Sequence, residues 1–336
     1  MAKYGSPLNQ WVDKTHHLWR KIASERPNLR KLLGALPFPT TLCYYSGMLI
    51  ALIKAMRPRQ WVKNILIFAA LVFDRKIGYP SALLSTIAGA ILFSLIASAI
   101  YLINDISDVE EDRNHPTKKN RQIASGKLPI PTARFAALLL LVVSLALAYL
   151  LSPEFSLICL VYICSNLSYS LWLKHIPLID VLALASFYVI RVAAGVTIIN
   201  VDRFSPWLYI ATTFLALFLG IGKRRAELVN GQKDGNQSRK VLTSYTLSYL
   251  DQLIMIVLTI TIVTYSLYTF SAPNLPENHV TMLTIPFVIY GVFRYLYLIQ
   301  VEGHGEVPEE ILLTDRPSQI NLILWSFSIL LIFYIF

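Results

Sequence analysis

Along the chain, apolar residues come in blocks of about 20, parted by short polar stretches rich in lysine and arginine. A soluble helix must keep one face for water, and blocks of this length leave no such face. The pattern predicts an all-α, polytopic membrane protein of about nine transmembrane helices, near 61–79, 81–103, 132–151, 154–173, 178–200, 206–222, 247–270, 281–300 and 317–336. Asp74, Arg75 and Lys76 shorten the apolar core of the first. Residues 1–50 stand apart as a basic cytoplasmic or interfacial extension, and 51–336 form the transmembrane domain. In the extension Leu18, Leu29, Leu32, Leu33 and Leu36 alternate with basic residues, as in a helix lying on an anionic leaflet. The run Met48–Met56 reads either as a second interfacial segment or as an extension of the first span.

Composition agrees with this pattern. A length of 336 residues alone suggests two soluble domains, but 55% of the residues are hydrophobic and only 15% charged. The net charge of +10 is no nucleic-acid footprint. Its lysines and arginines gather before the first span and in the loops after the second and sixth, which face one side if the spans alternate. Positive loops stay inside, so the N-terminus and these loops are expected in the cytoplasm, with the chain in the inner membrane. No cleavable signal peptide is read at the polar, basic N-terminus. Cys43, Cys159 and Cys164 match no metal spacing, and the last two read as buried free thiols.

The most informative stretch, Asn104 to Asp112, begins where the second span leaves the membrane, and Pro116 is expected to stop its helix. On a 100° helical wheel, Asn104, Asp105, Asp108 and Asp112 share an arc of roughly 100°, while Glu110 points away. Carboxylates on one face repel unless a cation joins them. Hard oxygen ligands at the end of a membrane helix suit Mg²⁺, which keeps positions for water and substrate phosphates. The competing reading is a solvated acidic helix end paired with Lys118, Lys119 or Arg121. The basic turn Arg113–Arg121 suits phosphate oxygens that the metal leaves uncompensated, and it also serves as a topogenic loop.

Other charges fall inside the apolar blocks. Arg191 lies mid-span, and Asp180, 11 residues earlier, returns to nearly the same helical face. Together they either line a polar cavity, or Arg191 pairs with another helix. Gly195 reads as a packing residue. Lys223 and Glu227 stand one turn apart, as in a surface ion pair. Tyr169 and Lys174 bring a phenol and an amine to the interface, where an aromatic belt explains the tyrosine equally well. Arg294 is placed to snorkel.

These residues resemble the UbiA superfamily of intramembrane prenyltransferases, whose Asn-Asp-x-x-Asp-x-x-x-Asp motif is matched by Asn104, Asp105, Asp108 and Asp112. The resemblance covers roughly 55–336 and implies nine helices around a polar cavity open to the cytoplasm. One branch, the decaprenyl-phosphate phosphoribosyltransferases, is more similar still. It has counterparts of Arg57-Pro58-Arg59-Gln60-Trp61-Val62-Lys63-Asn64, of Tyr101 to Gly126, and of Lys174-His175. Arg191 with Ala194-Gly195, Gly222-Lys223-Arg224 with Ala226-Glu227, and Glu309-Glu310-Ile311 with Asp315-Arg316 also match. Gln122 stands where that branch has proline. The second Asp-rich motif of ordinary family members is missing, and the corresponding loop offers only Glu227 and Asp234.

The resemblance implies an enzyme that moves 5-phosphoribosyl from phosphoribosyl pyrophosphate to a polyprenyl phosphate, releasing pyrophosphate, in cell-envelope precursor synthesis. It implies Mg²⁺ at Asp105, Asp108 and Asp112 with Asn104 orienting the ligands. The implied substrate-binding residues are Lys63, Asn64, Lys118, Arg121, Lys174, Asp180, Arg191, Lys223, Arg224 and Glu227, with Asp180 orienting Arg191. Aromatic prenyl transfer from a polyprenyl diphosphate is the enzymatic alternative, and a membrane transporter the alternative of another class. Partners are membrane lipids and not nucleic acid, and a homo-oligomer is compatible with the sequence.

Overall fold

The computed structural model describes residues 38–116, 118–199, 201, 205–233, 240–272, 275–303, 311 and 314–335, without the side chains of 38–45, 232, 233 and 240. The leucines of the expected interfacial helix, Cys43, Asp234, Glu309 and Glu310 lie outside the described side chains. By its contacts the chain divides into Met1–Ile53 and Lys54–Phe336. Helix α1 (Phe38–Ala55) ends before Arg57, a non-glycine residue at φ 55°, and Pro58. The run from Met48 is therefore separate from the first expected span.

That span is not one continuous α-helix. Pro58–Phe68 winds as a 3-10 helix and continues into a five-residue helix α2 (Ala69–Phe73). A 3-10 helix rises about 2.0 Å per residue against about 1.5 Å for an α-helix, so the two pieces together reach about 30 Å, the thickness of a hydrocarbon core. Among the described residues, eight helices are long and apolar enough to cross a membrane. They are α3 (Pro80–Ser107), α5 (Ile130–Leu151), α6 (Pro153–Leu171), α7 (Ile179–Ile198), α8 (Pro206–Lys233), α9 (Leu247–Ser271), α10 (Ile285–Gln300, entered through the 3-10 turn Val280–Thr284) and α11 (Arg316–Ile335). The short α4 (Val109–Asn114) follows α3 and stops just before Pro116. Among the described residues there is no strand.

Neighbours in sequence pack as neighbours in space, from α3 on α5 through α8 on α9 to α10 on α11, and α7 touches both halves of this series. One core joins α3, α5, α6 and α7 around Phe93, Phe155 and Tyr162. Another joins α7 to α10 around Phe218, Leu250 and Ile299. Phe73 of α2 closes the series, with its ring 5.7 Å from Tyr268 of α9 and 6.2 Å from Phe333 of α11. The apolar stretch of α3 is 61% buried and that of α5 only 17%, so α3 is central and α5 peripheral. Exposed side chains on the outer helices, such as Leu138, Leu150, Ile323 and Ile335, are the apolar kind that lipid chains solvate. Cys159 is buried as expected, whereas Cys164, five residues on, is on the exposed side of α6.

The 3-10 winding has a visible cause. With three residues per turn, Trp61, Asn64 and Ile67 line up on one face. Trp61 Nε1 donates to Ser98 Oγ (3.0 Å), and Asn64 Nδ2 donates to Ser94 Oγ (2.7 Å) on α3. Ile67 is fully buried, and its carbonyl lies so close to Gly195 of α7 that a Cβ there would come within 2.0 Å of it. Gly195 is thus the packing residue that the sequence suggested, and its lack of a side chain lets α7 meet the 3-10 backbone.

At the start of α11, Asp315 accepts from Ser318 N (3.0 Å) and pairs with Arg294 of α10 (2.8 Å). Arg294, expected to snorkel, is therefore tied to a carboxylate. Its guanidinium, together with the hydrogen bonds from Ser318, depresses the Asp315 pKa to about 2.

Two outcomes follow from this packing. Gly195→Ala forces the 3-10 segment off α7, and overpacking of this kind costs about 1–3 kcal/mol. A thermal melt of the detergent-purified variant should show a lowered midpoint, and an unchanged one would remove the close approach. Asp315→Ala removes a helix cap, at a cost of about 1–2 kcal/mol near neutral pH. Because the folded pKa is depressed, this contribution is complete above about pH 4 and fades as the pH falls toward 2. The stability gap between wild type and variant should narrow over that window.

Candidate functional site

Asn104 and Asp105 occupy the last turn of α3, Asp108 stands at its junction with α4, and Asp112 lies on α4. Asp108 N donates to Asn104 O (2.9 Å) and Asp112 N to Asp108 O (2.8 Å), so the helical spacing persists across the junction. The four side chains share a face as the wheel predicts. Glu110 points away, bonded to Arg113 (3.0 Å) on the outside.

Three cations meet these carboxylates. Arg121 Nη1 bridges Asp105 Oδ1 (3.2 Å) and Asp112 Oδ2 (2.7 Å). Arg57 Nη2 reaches the same Asp105 oxygen (2.5 Å) while its guanidinium lies 5.0 Å from the centre of the Tyr101 ring. Lys174 Nζ stands 4.0 Å from Asp108 Oδ1, and Ser170 Oγ donates to Asn104 Oδ1 (2.9 Å). The Asp105 and Asp112 side chains are 4% and 3% exposed and the two arginines about 30%, so the guanidiniums stand between the carboxylates and the outside. The pairing with Arg121, weighed in the sequence as the competitor of a metal, is thus present. In the following turn His115 Nδ1 accepts from Lys118 N (3.4 Å). Burial and the neighbouring Lys118 hold the imidazole below its usual pKa, so it is neutral near pH 7.

Among the described residues no three acidic, histidine or cysteine side chains converge as a ready metal cage. The donor chemistry nonetheless fits a hard divalent cation. All donors are oxygens, and two of the carboxylates already share one cationic nitrogen between them.

A second cluster corrects several expectations. Asp180 does not orient Arg191. Its carboxylate accepts from Arg224 Nε (2.5 Å) and from Tyr245 Oη (2.6 Å). Arg224 Nη1 donates to Glu227 (2.5 Å) and Nη2 to Tyr169 Oη (2.9 Å), and the side chain is wholly buried. Arg224, expected on a donor phosphate, is bonded through all three of its nitrogens within the protein, with Glu227 among its partners. Tyr169, expected as an interfacial anchor, belongs to this network. Tyr245 Oη also accepts from Leu178 N (2.6 Å), and burial together with the bond to Asp180 pushes its pKa well up, so it remains a neutral donor.

Arg191 is 4% exposed and paired with other segments of the bundle. Its Nε donates to Asn64 Oδ1 (2.9 Å), Nη1 to Phe187 O and Nη2 to Tyr162 Oη (3.0 Å). Asn64 is bonded to Ser94, which lies about 16 Å along α3 from Asp105. Arg191 and Asn64 therefore bind each other, deep in the bundle and away from the acidic cluster. Beside them an apolar hollow of about 320 Å³ opens between the 3-10 segment and α3, lined by Trp61, Ile65, Phe68, Ile87 and Ile91. Lys63 precedes Asn64, Lys118 opens the turn Lys118–Asn120 and Lys223 precedes Arg224, all three half-buried.

Sequence reasoning passed over Arg57, Ser170 and Tyr245 as site residues. One signal for Arg57 was present: Ser94, Ser98, Tyr101 and Asp105 fall within an arc of roughly 60° on α3. Such a polar stripe on an apolar helix calls for a polar neighbour, and the segment 57–64 provides it.

Comparison with known proteins agrees with this architecture. Residues 64–307 match the UbiA prenyltransferase family. The decaprenyl-phosphate phosphoribosyltransferase of Mycobacterium tuberculosis H37Rv is 37% identical over 83% of this chain and 93% of its own. The protein of the same name from Mycolicibacterium smegmatis is 38% identical over 83% and 91%. Among solved structures, a UbiA homolog from Archaeoglobus fulgidus bound to GPP and Mg²⁺ superposes with a TM-score of 0.65, covering 84% of this chain and 99% of that one at 21% identity. With the family matched across most of its length and relatives this similar over nearly all of theirs, the chain belongs to the UbiA prenyltransferase family.

Proposed function

We propose that this protein transfers the 5-phosphoribosyl group of phosphoribosyl pyrophosphate to a polyprenyl phosphate of decaprenyl type, releasing pyrophosphate, on the cytoplasmic side of the inner membrane. The acidic end carries this reading: three carboxylates matched by Arg57, Arg121 and Lys174, in a chain 37% identical to a decaprenyl-phosphate phosphoribosyltransferase. The cytoplasmic placement rests on the basic loops that share the side of that cluster.

In this reaction a lipid phosphate oxygen forms a bond to C1 of the ribose. The C1–O bond to pyrophosphate breaks, and pyrophosphate leaves with the electron pair. The lipid phosphate is already anionic at neutral pH, so no side chain need remove a proton. Asp105, Asp108 and Asp112, with Asn104 beside them, would hold Mg²⁺, which would supply charge neutralisation for a departing pyrophosphate. Lys174, Arg121, Lys118, Lys63 and Lys223 are the cations for the donor phosphates. Arg224 acts at one remove. It holds Tyr169, while the adjacent Ser170 holds Asn104, so the end of α6 and the Lys174 that follows are fixed against the acidic cluster. Aromatic prenyl transfer is disfavoured because Glu227, the acidic residue of the α8 end, is engaged by Arg224.

Purified protein given phosphoribosyl pyrophosphate, decaprenyl phosphate and Mg²⁺ should form a phosphoribosylated lipid, detected by mass spectrometry and abolished by EDTA. Asp105→Asn keeps the shape of the side chain and should lower turnover by about 10²–10³-fold, the scale for losing one preorganised electrostatic group. Full activity in that variant would take the metal site away. Prenylation of a phenolic acceptor instead would move the protein to the aromatic branch.

Arg224→Met separates positioning from phosphate binding. Leaving Asp180 buried without its cation costs about 3–5 kcal/mol, so the expected result is a large loss of thermal stability. A variant as stable as wild type with a raised KM for the donor would place Arg224 on the phosphate after all.

A further inference from the structure

Arg57 and Arg121 occupy positions on Asp105 and Asp112 for which another cation would have to compete. The two carboxylates are almost wholly buried, and the guanidiniums cover them from the exposed side. Arg121 places a single nitrogen on both carboxylates, which is the bridging position of a shared cation. Asp105, Asp108 and Asp112 bring three negative charges, and Arg57, Arg121 and Lys174 three positive ones, so the cluster is balanced with these residues alone. A divalent cation added to a balanced cluster leaves two positive charges in excess unless cations depart or anions arrive.

We infer that Arg57 and Arg121 are exchangeable counter-ions: they neutralise Asp105 and Asp112 until a divalent cation displaces them, and the displaced guanidiniums are then free for an incoming diphosphate. The inference rests on the metal reading proposed above and adds a direction to it. The arginines oppose cation binding when no diphosphate is present and favour it when one is, a coupling that is reciprocal between the two ligands. Arg57 is suited to such movement. Its guanidinium is about a third exposed and lies over the Tyr101 ring, which provides a resting face independent of the carboxylate. Its backbone is in the left-handed region, a conformation disfavoured for a side-chain-bearing residue and held by the contacts around it.

The test is the affinity of Mn²⁺ alone for the full-length protein in nanodiscs, read by electron paramagnetic resonance without substrate. Removing a competing guanidinium should tighten the binding, so Arg121→Gln should bind Mn²⁺ about tenfold more tightly than wild type. Arg57→Gln should shift in the same direction and keeps the question decidable if the first variant folds poorly. Lys119→Gln removes the same charge from an exposed position in the same loop and should change the affinity less than twofold, about the scale of a screened surface charge. Unchanged or weaker Mn²⁺ binding in both arginine variants would overturn the exchange and leave the metal site standing. An equal gain in Lys119→Gln would overturn it too, by tracing the effect to net charge. No Mn²⁺ binding to any of the four proteins would overturn the metal reading itself.

Discussion

The contact on which the acidic end depends is the bridge from Arg121 to Asp105 and Asp112. Two buried carboxylates so close together at the end of a membrane helix are not both ionised without a cation between them. A guanidinium suits that position better than an ammonium, because its planar donors and weak hydration let it enter a buried site and serve two acceptors. The bridge also determines the course of the chain. Arg121 lies nine residues after Asp112, so the loop must turn back over the cluster, with Pro116 ending α4 and the turn Lys118–Asn120 leading into Arg121. The loop shape and the charge balance are one constraint seen from two sides.

The same requirement, that a charge inside the bundle find a partner, explains the other two networks. Asp180 and Arg224 neutralise each other across α7 and α8, and Tyr245 and Tyr169 take up the remaining hydrogen bonds. Among the described residues Arg191 meets no carboxylate. It is satisfied by an amide, a phenol and a backbone carbonyl, and by ring faces of Phe93 and Tyr162 within 5.5 Å. In lipid such a set is costly to assemble and costly to disturb, so it specifies which helices sit together. Asn64 makes that visible: it joins the 3-10 segment to α3 through Ser94 and to α7 through Arg191.

The fold was legible wherever apolar length decided it. Seven of the expected spans from 132–151 onward, and that at 81–103, became helices with ends shifted by a few residues, except that α8 runs on to Lys233. What the blocks could not show was the winding of 58–73, because the pull toward a 3-10 helix comes from Ser94, Ser98 and Gly195 in other helices. The acidic face was legible because one helix sets its spacing. Partners were not. Asp180 and Arg191 share a face of α7 by periodicity, yet Arg224 and Asn64 from other helices intervene, and only tertiary packing decides between such pairings. The chemistry of Arg57 is not legible locally, since the polar stripe it answers is 37 to 48 residues away.

The absence of a second acidic motif becomes intelligible on the same electrostatic terms. A prenyl diphosphate carries its charge at one end, and two acidic clusters with their cations can enclose it. Phosphoribosyl pyrophosphate carries a further phosphate on the far side of the sugar, and a second bare acidic cluster there would repel it. At the end of α8 this chain has a carboxylate, Glu227, that shares Arg224 with Asp180, and Lys223 stands one turn before it. Asp180 and Glu227 share the one charge of Arg224, and the formal charges at this end balance only when Lys223 is counted with them. In the proposed reaction, an acid paired internally in place of one that binds a metal lowers the net negative charge of that side without burying an unpaired charge, which suits a donor that is anionic at both ends.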